Sequence, residues 1–101
     1  MRLFLILDNS NYIMDEKLRE IIEKKIEDTL AKTDEIKKII DSLNEISSKP
    51  DSFAVGIVIG RLYNSFYYQS RRILQREPTS QEFLEFLDIL KTQQKDFLEK
   101  F

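Results

Sequence analysis

Between positions 61 and 76 the chain concentrates the side chains best suited to contact chemistry: Arg61, Arg71, Arg72 and Arg76, with Tyr63, Phe66, Tyr67 and Tyr68 among them. At about 100° per residue, Arg61, Ser65, Tyr68 and Arg72 fall along one helical stripe, with Arg76 at its edge. A guanidinium grips phosphate and a phenol ring stacks on a base, so such a stripe has the makings of a nucleic-acid surface. The four arginines face one acid, Asp51, which gives residues 50–76 a net charge of +3 between acidic neighbours. An ordinary structural reading competes with this one. Arginines near a helix C-terminus complement its dipole, and a preceding antiparallel helix would bring Glu23, Glu27 and Asp28 within pairing distance of Arg76, Arg72 and Arg71.

Gly56 and Gly60, four residues apart with Asn64 one turn on, form a shallow helical groove that allows close backbone approach. Each glycine costs a helix about 1 kcal/mol relative to alanine, so a close helix contact is expected to compensate, within the chain or across a homodimer. The tyrosines, with Asn64 and Gln69 beside them, outline a small-molecule pocket or, more simply, half-buried packing whose hydroxyls reach Thr29 and Thr33.

The chain has no cysteine and no histidine. That removes thiolate nucleophiles, imidazole bases, disulfides and the usual zinc or haem sites. Catalysis would rest on carboxylates such as Glu23/Glu27 or Asp34/Glu35. These lie among lysines in a solvated pattern without a cation-binding loop signature. No enzyme, catalytic residue, metal or cofactor is expected. A formal charge of −2 over 101 residues favours no partner class globally. Leu3–Leu7 is too short for a secretory core or a span, and Phe53–Gly60 is closed by Arg61. The expectation is a cytoplasmic protein with no membrane association.

Two glycines and two prolines leave room for long elements. From Asp15 to about Ser47, apolar residues from Leu18 to Ile46 recur at steps of three and four, predicting one long helix ended by Ser47-Ser48-Lys49-Pro50. A second helix over about 51–76 is apolar all round near its start and should be central. A third, over 80–100, opens with Thr79-Ser-Gln-Glu82, a capping box. The fold class is therefore all-α, a three-helix antiparallel bundle with a long first helix. Residues 14–101 form the domain, and residues 1–13 an N-terminal extension of uncertain structure.

Laying the helices out as hairpins puts Gly56 opposite Leu43, Gly60 opposite Ile39, and Ile73, Phe66, Leu62 and Ile59 opposite Phe83, Leu90, Gln94 and Phe97. The expected core is Val55, Ile59, Leu62, Phe66, Ile73, Phe83, Leu87, Leu90 and Phe97. Ile57, Val58, Leu84 and Ile89 are then left over as an apolar patch for a homodimer. The functional expectation is a non-catalytic protein–protein interaction or assembly module, with a nucleic-acid-binding regulator using the Arg/Tyr stripe as the alternative.

Overall fold

The computed structural model describes residues 13–101, and the expectations for residues 1–12, the Leu3–Leu7 run included, lie outside them. The described residues form five helices and no strand: α1 (Glu16–Ala31), α2 (Asp34–Ser42), α3 (Pro50–Leu74), α4 (Ser80–Thr92) and α5 (Gln94–Lys100). The all-α class holds, but three helices become five because the first and third expected helices are each interrupted.

The first interruption is at Lys32 and Thr33. Lys32 leaves helical geometry at φ −126°, ψ 76°, and its N–H donates to the Thr29 carbonyl at 3.3 Å. Thr33 occupies the N-cap of α2, followed by Asp34 and Glu35, acids that suit the positive end of a helix dipole. The second interruption is gentler. The Thr92 hydroxyl donates to the Ile89 carbonyl at 2.8 Å, a back-bond that bends helices, and Gln93 at φ −98°, ψ 3° joins α4 to α5.

Other boundaries follow the expected chemistry. Asp15 caps α1, its carboxylate accepting from the Leu18 N–H at 3.0 Å. Ser47 accepts from the Lys49 N–H at 3.1 Å, and Pro50 opens α3 at a position where a missing N–H costs nothing. The helix ends at Gln75, the one described non-glycine residue with positive φ, 58°. The capping box forms as the sequence implies: the Glu82 N–H donates to Thr79 Oγ1 at 3.1 Å and the Thr79 N–H to Glu82 Oε1 at 2.8 Å.

The core is organised by four-residue rows. In α3 the row is Ala54, Val58, Leu62, Phe66 and Ser70, all buried. Towards and along α1 it is Met14, Leu18, Ile22, Ile26 and Leu30; in α4 and α5 it is Glu82, Phe86 and Leu90 beside Glu85, Ile89, Gln93 and Phe97. Side chains four apart form ridges inclined to the helix axis, and ridges of that kind interlock at crossing angles of about −50° rather than at the shallow angle of a hairpin. At the centre the Phe66 and Phe86 rings stack with centroids 4.5 Å apart and planes 2° from parallel.

This corrects the register set out from the sequence. Phe66 stacks on Phe86 of α4 and meets Tyr67 edge-on at 5.7 Å, and the ring that Phe83 meets on α3 is Tyr63, at 6.0 Å. Leu62, Phe66, Leu90 and Phe97 are buried as expected, while Val55, Ile73 and Phe83 are half-buried. Ile59 and Leu87, expected in the core, are exposed. Ile39, Leu43 and Ile46 are also exposed, Leu43 and Ile46 lying beyond the end of α2 at Ser42. The end of α2 lies against the start of α3: Lys37, Ile40 and Asp41 line one cleft with Pro50, Asp51 and Ala54.

Candidate functional site: the outer faces of α3 and α4

Two faces of α3 are open. Arg61, Tyr68 and Arg72 lie exposed along one, with Ser65 half-buried between them. Arg71 is exposed beside them, and among the described residues neither it, Arg61 nor Arg72 makes an ion pair. Arg72 Nε donates to Gln69 Oε1 at 2.9 Å, an i−3 contact that orients the guanidinium along its own helix.

Arg76 is held differently. Its Nη1 and Nη2 donate to Glu82 Oε1 and Oε2 at 2.8 and 3.0 Å, and Nη1 also reaches the Glu77 carbonyl at 3.0 Å. Glu82 is buried, so the fork closes the α3–α4 turn from inside while its carboxylate also serves the cap. The Arg76 hydrogen bond, with help from Thr79, holds the Glu82 carboxyl below the ordinary glutamate range, and the same contact raises Arg76. Arg76 is thus fastened to Glu82 rather than to Glu23. Two of the acids named from the sequence have partners on their own helix: Asp28 accepts from Lys24 Nζ at 3.1 Å, and Glu23 lies 3.7 Å from Arg19, both members of that second pair nearly buried.

The second open face, from Gly56 to Tyr63 on α3, carries no charged side chain. Gly56 and Gly60 are exposed, and a Cβ added to either would meet nothing within 4 Å. The close contact expected for Gly56, Gly60 and Asn64 against the first helix is therefore absent, and Asn64 is exposed as well. Ile59 and Tyr63 stand exposed between and beyond the glycines. The Tyr63 ring meets the Tyr67 ring edge-on at 5.0 Å and Phe83 of α4 at 6.0 Å. Tyr63 chiefly, through a side-chain hydrogen bond, raises the Tyr67 phenol above its ordinary value. The tyrosines thus contact one another and α4, not Thr29 and Thr33. One turn beyond Phe83 lies exposed Leu87, with Leu84 exposed beside it.

The apolar patch expected from the sequence is corrected by this geometry. Val58 and Ile89 are fully buried, Ile57 is half-buried, and of the four only Leu84 is fully open. Ile59 and Leu87 stand exposed instead, because the buried rows run through Ala54 and Val58 on α3 and through Phe86 and Ile89 on α4.

One pair of contacts had no sequence signal. Glu85, buried on α4, accepts from the backbone N–H groups of Ile13 and Met14, each at 2.7 Å. The partners are 72 and 71 positions away, so no local pattern announces them. The α2/α3 cleft, about 290 Å³, is lined by Lys37, Asp41, Asp51 and Lys100 around Ile40, Ala54 and Phe101. Among the described residues no cluster of acids is arranged to hold a metal ion, and no helix is long and apolar enough to cross a membrane. No protein-family model, curated protein or solved structure matches this chain.

Proposed function

We propose that the chain is a non-catalytic helical interaction module whose working surface is the uncharged face of Gly56, Ile59, Gly60 and Tyr63 on α3, continued by Leu84 and Leu87 on α4. The observation that carries this reading is the exposure of Ile59, Tyr63, Leu84 and Leu87 on two helices joined by the Tyr63–Phe83 contact. Singly exposed apolar residues are ordinary, but a contiguous set spanning two elements is the usual mark of an interaction surface. The glycines fit the same use. They cost helix stability of about 1 kcal/mol each, and no described neighbour approaches closely enough to offset that cost.

A second reading rests on a separate observation, the exposure of Arg61, Tyr68 and Arg72 without ion pairs among the described residues. Such a stripe could follow a phosphate backbone, and its binding would weaken steeply with salt.

The two readings separate in extracts of cells that make the chain, carrying an affinity tag. Complexes that survive nuclease and moderate salt but are lost in Ile59→Glu support the interaction module. Complexes destroyed by nuclease and by Arg61→Glu, yet indifferent to Ile59→Glu, would replace it with the nucleic-acid reading.

A further inference from the structure

The α3 half of the uncharged face has an order that reverses onto itself. Reading Gly56, Ile59, Gly60, Tyr63 backwards about the midpoint between Ile59 and Gly60 sets Tyr63 against Gly56 and Ile59 against Gly60. Each bulky side chain then falls on a position with no side chain, and the next pair outward sets exposed Ser52 against half-buried Tyr67. A two-fold axis requires this property of an interface, because residue i must fit residue j while j fits i.

Resting on the interaction-module reading, we infer that the partner on this face is a second copy of the chain, with the two α3 helices crossing antiparallel between Ile59 and Gly60 and each Tyr63 ring seated over the other copy's Gly56.

Two further observations favour a copy as the occupant. The first is area. Ile59, Tyr63, Leu84 and Leu87 are 37, 44, 53 and 41% exposed. At roughly 150–250 Å² per large side chain, they leave about 300–400 Å² of apolar surface. A standard interface covers about 800 Å² per partner, somewhat over half of it apolar, so the patch supplies most of the apolar share and the surrounding polar rim the rest. The second is charge. Arg61 and Arg72 project from the other exposed side of α3, whereas Gly56, Ile59, Gly60 and Tyr63 carry no charge. Two copies meeting on the arginine side would bring like charges together; on the uncharged face they do not.

The absence of native cysteine makes the geometry directly testable. Gly56→Cys and Tyr63→Cys chains are prepared separately, mixed, and oxidised under mild conditions. The expected result is a disulfide-linked pair in the mixture and little in either variant alone. Residue 56 of one copy lies about 10 Å along the helix from residue 56 of the other, too far for a disulfide, whereas residues 56 and 63 face each other. Cross-linking of each variant with itself but not in the mixture, or none anywhere, overturns the inference.

A photo-reactive residue at position 59 of the full chain, irradiated in the native cell, separates this failure from failure of the underlying reading. A product near twice 12.1 kDa supports the second copy. A product of any other mass overturns the copy but leaves the face a binding surface, and the absence of any product removes both.

Discussion

Glu82 and Glu85 are buried carboxylates on successive turns of the same side of α4, and each fastens a different piece of chain. Glu82 binds Arg76 and the Thr79 N–H, and its carboxyl lies below the ordinary range because the charged form is the one those donors hold. A carboxyl depressed in the folded state adds stability above its unfolded value of about 4.3, and that stability is lost as pH falls through the folded value. Thermal melts of the wild type and Glu82→Gln should therefore differ most at neutral pH and converge as pH drops below about 4. A gap that stays constant from pH 7 to pH 2 would show that Glu82 does not carry it. Glu85→Ala leaves two backbone N–H groups without their acceptor, at a cost of about 2 kcal/mol, and should speed exchange of the Met14 amide hydrogen. Unaltered exchange there would mean the clamp does not hold the approach to α1. The sequence disclosed one of these roles and not the other: Thr79 and Glu82 form a local pattern with a fixed spacing, whereas Glu85 acts on residues at the far end of the chain.

At the scale of elements, the apolar periodicity and scarcity of breakers made the all-helical class legible, and the capping box and Pro50 marked helix starts, whereas the helix expected to run to about Ser47 ends at Ser42. Two interruptions went unread. Thr33-Asp34-Glu35 is itself a plausible helix start, but it lies inside a continuous apolar periodicity that masks it. Thr92 and Gln93 have no glycine or proline beside them, and the bend there comes from a hydroxyl back-bond. In parts of α3 and α4 the buried face lies about one residue from the expected one, Val58 in place of Ile59 and Phe86 in place of Leu87, because strict four-residue rows drift around the helix. Phe66 belongs to the core in either description. Phe66→Ala removes a fully buried ring and its stacking partner's contact, so it should cost about 3–5 kcal/mol, and a melt lowered by only a degree or two would remove it from the core. The open glycines predict the opposite sign. In a chain kept monomeric by Ile59→Glu, Gly56→Ala and Gly60→Ala should each stabilise by about 0.5–1 kcal/mol, since the added methyl meets nothing and the unfolded chain loses freedom. Destabilisation by either substitution would reveal an intrachain contact.

At the scale of the whole molecule, a bundle of this size has little core to spare, yet Ile59, Tyr63, Leu84 and Leu87 are left in solvent. Ile59 and Tyr63 stand beside two open glycines, apart from the exposed stripe of Arg61, Tyr68 and Arg72. Two grounds for the homodimer expected from the sequence do not hold, since the long first helix is two helices and Val58 and Ile89 belong to the interior; the proposal rests instead on the exposure of Ile59 and Leu87. The same alanine substitutions that stabilise the monomer should weaken pairing, because a methyl at position 56 or 60 occupies the space assigned to the opposing Tyr63 or Ile59. The central claim is that this uncharged face is covered by a second copy, and sedimentation equilibrium tests it most directly. At micromolar concentration the wild type should return a mass near twice 12.1 kDa, falling to 12.1 kDa in Ile59→Glu without loss of helix content; a wild-type mass of 12.1 kDa at every accessible concentration would contradict it.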